Sequence, residues 1–415
     1  MARTFAGRIA VLLLCSTSFA AAPGDWPQWR GPNRDGVSAE RDWFRAWGDA
    51  GPAVVWRAKV GEGFAAVSVA GGRVYVAGNA KGKDTVYCLD AASGKPVWTH
   101  AYECPGAGGG FPGPAVSPTV DGDLLYTQSR VGHLFCLRAS DGTVVWAKDP
   151  KELKISRGAS FWHGASCHPL VEGDLLIVET GGRKGVVTAF DKRTGQVAWE
   201  AGDEKLGYAA PIAGDIDGRR TIVAFTGTGP IGLDPKTGQV LWRYPCRIEF
   251  QCAIATPLLA GGGRVFVSSS YMKPGSTMLE VKGGQARAVW ETREFRTHAA
   301  PAVLWEGHLY GFDGSIEDGG GAMECVDAAT GKVTWSAEGM GVGGLMAADG
   351  KLIVLSQDGE LVIAEASPKG FKALARSRVL AGKCWNMPVL AGGRIYVRNQ
   401  RGDVVCVDAR GPGKS

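Results

Sequence analysis

Several features that would place this chain in a familiar class are missing from its sequence. Beyond residue 20, no apolar run reaches the roughly 20 residues that a membrane-spanning helix needs. Lysine and arginine (46) nearly balance aspartate and glutamate (41), and like charges form no block. A nucleic-acid-binding surface needs a concentrated basic stripe. The sequence therefore predicts neither a membrane-spanning protein nor a nucleic-acid partner.

Catalytic signatures are missing as well. There is no Gly-x-Ser-x-Gly elbow, no His-Glu-x-x-His helix and no paired-cysteine zinc motif. His163, Cys167 and His168 share one segment, but it is extended and no carboxylate completes a metal site. We expect these three side chains to be structural or solvent-facing. The sequence indicates no catalytic constellation and favours a protein that is not an enzyme.

The one short apolar run lies at the start of the chain. Arg3 and Arg8 precede it and small residues follow it, an order typical of a secretory signal peptide. Leu14 stands where a lipobox before Cys15 would need a small residue, which argues against a lipoprotein. We expect residues 1–20 to be removed on export to the periplasm or envelope. The net charge then falls by two arginines, from +5 to +3.

What the sequence does contain is a tryptophan that returns behind the same phrase. The phrase Asp-x-x-Thr/Ser-Gly-x-x-x-Trp starts at Asp90, Asp191, Asp234 and Asp327. Weaker copies end at two further tryptophans, and successive repeats are 42 to 53 residues apart. Self-similarity at this period indicates a repeat architecture. The repeat residues are Trp56, Trp98, Trp146, Trp199, Trp242, Trp290 and Trp335, with Gly94, Gly142, Gly195, Gly238 and Gly331.

Each repeat is predicted to form four short strands joined by tight turns. Within residues 115–146 the strand-like runs are Ala115–Val120, Leu124–Thr127, His133–Leu137 and Thr143–Trp146. Four strands in about 45 residues are typical of a propeller blade. We infer that each repeat tryptophan fills the wedge between neighbouring blades, which no blade could bury alone.

Six units end in a repeat tryptophan, and the last two do not. Residues 345–376 keep the strand pattern, and residues 385–408 supply three more strands. The segment around Trp56 supplies the missing strand and closes the ring, which leaves no open sheet edge. The sequence predicts an all-β, eight-bladed propeller, with seven blades as the alternative. The predicted divisions are a signal peptide (1–20), a Trp-rich leader (21–51), the propeller (52–410) and a disordered tail (411–415).

Nine cysteines remain after removal of the signal, so at least one cannot pair within the chain. Four of them share one equivalent strand position, which is typical of a small buried apolar side chain: Cys88, Cys136, Cys325 and Cys406. Neighbouring blades hold these four too far apart for easy bridging. A disulfide between Cys246 and Cys252 stays open as an alternative.

Candidate binding residues follow from the start of each blade. The innermost strands are predicted to begin just before a repeated serine or proline, namely Ser68, Pro118, Pro169, Pro211, Pro257, Pro301 and Pro388. Residues just upstream should line one mouth of the central channel, where propellers commonly bind. The candidates in that register are Trp162, His163, His168, Tyr208, Gln251, His298, Trp385 and Asn386.

The phrase resembles the tryptophan-docking repeat of quinoprotein dehydrogenases that use pyrroloquinoline quinone (PQQ). It equally resembles the PQQ-like repeats of BamB, the propeller lipoprotein of the outer-membrane assembly machinery. The resemblance spans residues 52–409. The leader from Asp25 to Gly36 is similar to the start of many exported PQQ-like repeat proteins. We expect its Trp26 and Trp29 to pack against the outside of the propeller.

The resemblance to the dehydrogenases implies PQQ held over a disulfide of adjacent cysteines, with Ca²⁺ bound by a Glu/Asn/Asp set. This sequence has no adjacent cysteine pair, and of its four asparagines only Asn386 is placed near the channel. Calcium takes six or more oxygen ligands. We therefore transfer no PQQ or calcium ligand and expect no cofactor.

The predicted function is that of an exported, non-catalytic, BamB-like scaffold. Its partner would be a protein of the cell envelope, in outer-membrane protein assembly or another envelope complex. One alternative is a divergent PQQ-dependent oxidoreductase that uses His163, His298 or Asn386. The other is a glycan- or peptide-binding propeller in which Trp162 and Trp385 stack on the ligand.

Overall fold

The computed structural model describes residues 24–48, 50–105, 112–153, 164–182, 185–315 and 321–410. The predicted signal peptide (1–20), the predicted tail (411–415), Trp162 and His163 lie outside the described residues. The described chain folds into eight sheets whose innermost strands are neighbours around a central channel. This confirms the all-β, eight-bladed propeller and rejects the seven-bladed alternative.

The first four blades each run from the innermost to the outermost strand in chain order. Blade 1 contains β3 (Ser68–Ala70), β4 (Arg73–Ala80), β5 (Lys83–Asp90) and β6 (Pro96–Glu103). Blade 2 contains β7 (Thr119–Asp121), β8 (Leu124–Gln128), β9 (Leu134–Arg138) and β10 (Val144–Lys148). Blade 3 contains β11 (Leu170–Glu172), β12 (Leu175–Gly182), β13 (Gly185–Asp191) and β14 (Val197–Ala201). Blade 4 contains β15 (Ile212–Ile216), β16 (Arg219–Thr226), β17 (Gly229–Leu233) and β18 (Val240–Arg243).

The last four blades follow the same order until the ring closes. Blade 5 contains β19 (Leu258–Gly261), β20 (Arg264–Ser269), β21 (Gly275–Lys282) and β22 (Gln285–Thr292). Blade 6 contains β23 (Val303–Trp305), β24 (His308–Phe312), β25 (Met323–Asp327) and β26 (Val333–Ala337). Blade 7 contains β27 (Gly344–Ala348), β28 (Lys351–Leu355), β29 (Glu360–Glu365) and β30 (Ala373–Arg378). Blade 8 contains β31 (Val389–Ala391), β32 (Arg394–Arg398), β33 (Asp403–Asp408) and the N-terminal β2 (Val54–Lys59).

Ring closure occurs where the sequence predicts it. Strand β2 pairs antiparallel with β33, and Trp56 stands opposite Cys406. The innermost strands begin at Ser68 or one or two residues after each repeated proline, slightly later than predicted. Proline has no N–H to donate to a ladder, so it precedes the paired strand instead of joining it.

The short helices lie outside the blades. Within the described residues they are α1 (Pro150–Leu153) and a single 3₁₀ turn at Glu249–Gln251. Among the helices of the described chain, none has the length and apolar character needed to cross a membrane.

Repeat tryptophans seal the boundaries between blades. Five of the seven rings lie on a glycine of the phrase in the next blade, and a Cβ at that glycine would come within 2.5–2.7 Å of an indole carbon. The same glycines have φ between 70° and 76°, a region that favours glycine. The pairs are Trp56 on Gly94, Trp98 on Gly142, Trp146 on Gly195, Trp199 on Gly238 and Trp290 on Gly331. Glycine is therefore required at these sites for both backbone conformation and ring contact.

The equivalent cysteines lie beside these tryptophans. Each of the four is fully buried and stands opposite a repeat tryptophan on the neighbouring outer strand: Cys88, Cys136, Cys325 and Cys406. All nine cysteines of the described chain carry free thiols. The disulfide left open between Cys246 and Cys252 is therefore not formed.

Every blade begins with its innermost strand, and these strands run in the same direction along the channel, so the two mouths of the channel differ. The upstream mouth is surrounded by the residues that precede the innermost strands. The turn mouth is surrounded by the turns that follow those strands. The leader crosses the turn mouth: Glu40 accepts from the amides of Gly392 and Gly393 in blade 8 (2.7 Å each), and Asp25 accepts from Gly71 in blade 1.

The leader also pairs with the innermost strands. Trp26 exchanges backbone hydrogen bonds with Val69 of β3 (2.7 and 2.8 Å), and Val120 donates to the carbonyl of Pro27 (2.8 Å). Further along, β1 (Val37–Ser38) adds to blade 7 as a fifth strand, parallel to β27. The leader thus supplies partners for backbone groups that face the channel and would otherwise have none.

The expectation that Trp26 and Trp29 pack against the outside of the propeller is wrong. Trp26 is 1% exposed against β3. Trp29 stacks on His168 of blade 3 at 4.4 Å and donates its indole N–H to Thr256 Oγ1 of blade 5 at 2.9 Å. Both contacted residues lie just upstream of innermost strands, so Trp29 lies inside the channel. The unpaired inner strand edges draw the leader inward.

Candidate functional site

Inside the upstream mouth lies a small aromatic chamber. Trp29 of the leader forms its floor, and its walls come from residues that precede the innermost strands of most blades. Its volume is about 130 Å³. The lining residues are Trp29, Phe64, Ala115, Arg130, Ser166, His168, Tyr208, Ala210, Ile254, Thr256, His298, Ala299 and Trp385.

The structure brings together four of the residues that the sequence places at this mouth. His168, Tyr208, His298 and Trp385 all line the chamber and are at most 9% exposed. Trp385 stacks on Phe64 with ring centroids 5.6 Å apart, and the Lys383 ammonium lies 4.6 Å from its ring centroid. The chamber wall is thus formed by rings that already contact other protein groups.

Two candidates lie elsewhere. Gln251 lies in the 3₁₀ turn that precedes blade 5, with a φ of 61°, and does not line the chamber. Asn386 is 2% exposed and buried next to Gly344 of β27, and neither the oxygen nor the nitrogen of its side-chain amide has a hydrogen-bond partner among the described residues. Trp162 and His163 lie outside the described residues.

Nine of the thirteen lining residues were not predicted from the sequence, and four of these nine make the contacts that shape the chamber. Phe64 stands four residues before Ser68, so the register argument could have found it. Arg130 lies in the turn between β8 and β9, which the register does not cover. Thr256 and Trp29 are joined by a hydrogen bond that depends on the path of the leader, and no repeat encodes that path.

The chamber is apolar with one buried cation. Arg130 is 4% exposed, and its guanidinium carbon lies 5.9 Å from the ring centroid of Phe64. Burial lowers the pKa of Arg130 to about 10, so the group stays charged at neutral pH. Burial, and secondarily the charge of Arg34, lower the pKa of His168 to about 3. His168 is therefore neutral at physiological pH, and its stacked ring acts as an aromatic wall.

A buried carboxyl group lies behind the chamber wall. Glu179 on β12 is 2% exposed, and its backbone N–H donates to the sulfur of Cys167, the neighbour of His168 (3.4 Å). Its Oε2 accepts from the amide of Gly207 at 3.1 Å, whereas Oε1 has no partner in the part of the chain that the structure describes. Burial raises the pKa of Glu179 to about 8. Gln128 is the fifth residue of β8, as Glu179 is the fifth of β12, so a neutral amide occupies the equivalent place in blade 2.

Replacing Glu179 with glutamine is expected to change how stability depends on pH. The carboxyl ionises near pH 4.5 in the unfolded chain but keeps its proton to about pH 8 in the folded protein. Between these values the folded state binds more protons. Rising pH therefore lowers the free energy of unfolding by about 1.4 kcal/mol per pH unit for this group. Urea unfolding between about pH 6.5 and 7.5, where ordinary histidines are mostly neutral, measures the difference between the wild type and Glu179→Gln.

The exposed Glu200→Gln substitution is the matched control, since it removes a carboxylate that is in solvent in both states. It should leave the pH dependence of wild type unchanged. Identical slopes for wild type and Glu179→Gln would mean that Glu179 is ionised in the folded protein, contrary to its burial.

Residues 45–109 and 84–337 match the PQQ-like repeat family model described as outer membrane protein assembly factor BamB. BamB of Yersinia pestis is 26% identical over 253 residues, covering 59% of this chain and 57% of that protein. Methanol dehydrogenase (cytochrome c) subunit 1 of Methylorubrum extorquens is 29% identical over 168 residues, covering 36% and 25%. The chain thus spans a little over half the length of the first relative and a quarter of the second.

Solved structures agree on the fold. BamB from Moraxella catarrhalis has a TM-score of 0.61 at 17% identity, covering 85% of this chain and 96% of that chain. The quinohemoprotein alcohol dehydrogenase of Comamonas testosteroni has a TM-score of 0.50 at 15% identity, covering 95% and 82%. Identities this low establish a shared fold and nothing about activity.

PQQ and calcium do not fit the described chamber. PQQ is a fused three-ring tricarboxylate, and sites for ligands of that size usually enclose about 300 Å³ or more. The chamber encloses about 130 Å³, and its described lining residues include no carboxylate for calcium. Across the described chain, no three His, Cys, Asp or Glu side chains are grouped so as to hold a metal ion.

Proposed function

This chain belongs to the PQQ-like repeat family described as outer membrane protein assembly factor BamB, and we propose that it acts as a non-catalytic scaffold that binds a protein partner in the cell envelope. The name of the relative from Yersinia pestis, an outer membrane protein assembly factor, supports a role in an envelope complex. The quinoprotein dehydrogenases are also relatives, but over a smaller share of this chain.

The observation that carries the proposal is the leader inside the channel. Trp29 closes the chamber from below, and Arg30 is fully buried beside it, donating to the carbonyl of Ala302 at 2.8 Å. A quinoprotein needs room at the channel for a large cofactor and its metal. Here that room is taken by the protein's own chain, so binding is left to the mouths and the outer surface.

Export and the division of the chain belong to the same proposal. Residues 1–20 would be removed as a signal peptide, and the mature protein would work in the periplasm or at the envelope. Residues 21–51 would serve as the leader and residues 52–410 as the propeller. The first propeller strand begins at Val54 and the last ends at Asp408, which agrees with these bounds.

Stacking of a sugar on Trp385 is not favoured by the geometry. The side chain is 8% exposed, and Phe64 and Lys383 already contact its ring. A glycan-binding role would therefore need the chamber wall to open first.

The proposal is tested by site-specific photo-crosslinking in cells and by quinone titration of the purified full chain. A photoreactive residue is placed at Phe250 near the upstream mouth, at Asp123 near the turn mouth, or at Val197 on an outermost strand, all exposed positions. We expect one face to yield a defined envelope protein that also binds the purified chain. Titration with PQQ and Ca²⁺, followed by absorbance and by alcohol-dependent dye reduction, should show no saturable binding at high micromolar quinone.

A quinoprotein dehydrogenase serves as the positive control for the titration. Saturable quinone binding with dye reduction would make the protein an oxidoreductase and refute the scaffold proposal. Failure of all three crosslinking positions to yield a protein that binds in purified form would refute it as well.

A further inference from the structure

In the described chain, most exposed large apolar side chains occupy equivalent positions in successive blades. The repeated set consists of valines on outermost strands, each one or two residues before a repeat tryptophan: Val54, Val55, Val97, Val144, Val145, Val197 and Val289. Two residues depart from this pattern and are the most exposed of all, Phe250 at 62% and Met272 at 64%. The valines recur with the blades and need no special explanation. Phe250 and Met272 do.

Both exceptions lie on turns whose backbone is in the left-handed region. The φ angles are 50° at Phe250, 61° at Gln251, 52° at Met272 and 68° at Lys273. Bulky residues rarely adopt this conformation, and the phrase turns of this protein use glycine for it. Backbone hydrogen bonds hold both turns, from Cys252 N–H to Glu249 O (2.9 Å) and from Lys273 N–H to Ser270 O (3.0 Å). Strain of this kind at exposed bulky residues is typical of functional surfaces.

The two turns lie together on the upstream face of blade 5. Phe250 contacts Tyr271, the neighbour of Met272, edge to face with ring centroids 5.8 Å apart. Tyr271 in turn stacks on His298 of the chamber at 6.4 Å. We call Phe250, Tyr271 and Met272 the blade-5 patch. It is continuous with the upstream mouth.

A cleft of about 460 Å³ next to the patch carries unpaired positive charge. Of its two carboxylates, Glu249 pairs with Arg247, and Glu291 accepts from the hydroxyl of Tyr244 at 2.7 Å. Lys273 and Arg293 line the same cleft and have no acidic partner within the described chain. Three cations against two acids leave the cleft lining with a net charge of +1, which favours an acidic ligand.

We propose that the blade-5 patch and its cleft bind an extended acidic segment of a partner protein. An apolar side chain of the segment packs on Phe250 and Met272, while neighbouring carboxylates pair with Lys273 and Arg293. The proposal rests on the scaffold function and adds the site and the chemistry of the partner to it. Exposed aromatic anchors beside charged groups are a frequent arrangement at protein interfaces.

Two synthetic peptides test the proposal by fluorescence polarisation with the purified full chain. One alternates aspartate or glutamate with leucine or phenylalanine, and the other has lysine in place of every acid. We expect saturable binding of the acidic peptide alone, weakened by salt. The double variant Phe250→Gly/Met272→Gly should bind at least about tenfold more weakly, as expected for loss of an interface anchor. Because glycine suits both backbone conformations and both side chains are exposed, this variant should still fold, with a free energy of unfolding close to that of the wild type.

Charge reversal supplies the second arm. Lys273→Glu/Arg293→Glu should lose the acidic peptide and gain the lysine peptide. The matched control Val97→Ser/Val197→Ser removes exposed apolar side chains from outermost strands and should bind as wild type does. The proposal is overturned if wild type binds neither peptide or both equally, or if the glycine variant binds normally. A partner crosslinked only from Asp123 or Val197 would overturn this site and leave the scaffold function standing.

Discussion

Trp199→Ala is expected to lower the free energy of unfolding by about 3 to 5 kcal/mol, the usual range for truncating a buried tryptophan. The ring is 8% exposed and packs between blades 3 and 4, on Gly238 of the next phrase. Its indole N–H donates to the carbonyl of Pro235 at 3.0 Å. Glycine has no side chain with which to fill the space left by the ring. Urea unfolding of the purified protein, followed by circular dichroism, measures the loss.

A conservative pair of variants separates packing from hydrogen bonding. Trp242 is also a buried repeat tryptophan, but its indole nitrogen has no partner within the described chain. Blade 5 replaces the phrase with a two-residue turn, Gly283–Gly284, which presents no carbonyl at the corresponding place. Trp199→Phe should therefore lower the free energy of unfolding by about 1 kcal/mol more than Trp242→Phe does. Equal losses of unfolding free energy in the two variants would show that the indole hydrogen bond adds nothing to the stability of the boundary between the blades.

Those two tryptophans also show why the fold was readable from the sequence. The phrase combines a turn, a glycine with positive φ and a docking ring within nine residues, so each copy defines one blade boundary. Blade 7 lacks its own tryptophan but remains complete, because Trp335 of blade 6 still donates to Ser367 of blade 7 at 2.8 Å. The docking partner lies in the following blade, so the loss of one ring weakens one boundary and does not remove a blade.

The chamber was only partly readable, for a related reason. His168, Tyr208, His298 and Trp385 were found because residues before an innermost strand must lie at the upstream mouth. The same register could not tell that Asn386 points into the protein, since side-chain direction in an irregular segment is set by local backbone angles. The repeat also could not predict Trp29, because Trp29 belongs to the leader, which occurs only once in the sequence. The sequence repeat therefore predicts the blades and part of the chamber wall, whereas the contribution of the non-repeated leader to the chamber is not predictable from the repeat.

The non-repeated leader is held in the channel by Arg30, and the substitution Arg30→Ala tests how strongly. Arg30 is fully buried and donates to the carbonyls of Arg34 (3.0 Å), Asp35 (2.8 Å) and Ala302 (2.8 Å). Burial lowers its pKa to about 10, so a charged group holds the leader onto blade 6. Removing this guanidinium leaves three carbonyls without their charged donor and costs about 3 kcal/mol, which would raise the population of the undocked leader roughly 100-fold. Limited proteolysis under native conditions, cutting within residues 24–48, measures that population.

Hydrogen exchange gives a local readout that proteolysis cannot. The amides of Val69 and Ala347 donate to leader carbonyls, at 2.8 and 2.9 Å, so both should lose protection in Arg30→Ala. Arg45→Ala is the control, because it removes the same charge from an exposed leader side chain and should change neither measurement. Ring closure depends on β2, which follows the leader, so the propeller itself should stay folded. Unchanged protection at Val69 and Ala347 would mean that the leader is held mainly by its backbone pairing. Loss of protection confined to Val69 and Ala347 would mean that the buried guanidinium of Arg30 holds the leader in the channel. The leader then closes the chamber from below, and the chamber opens only to the upstream mouth.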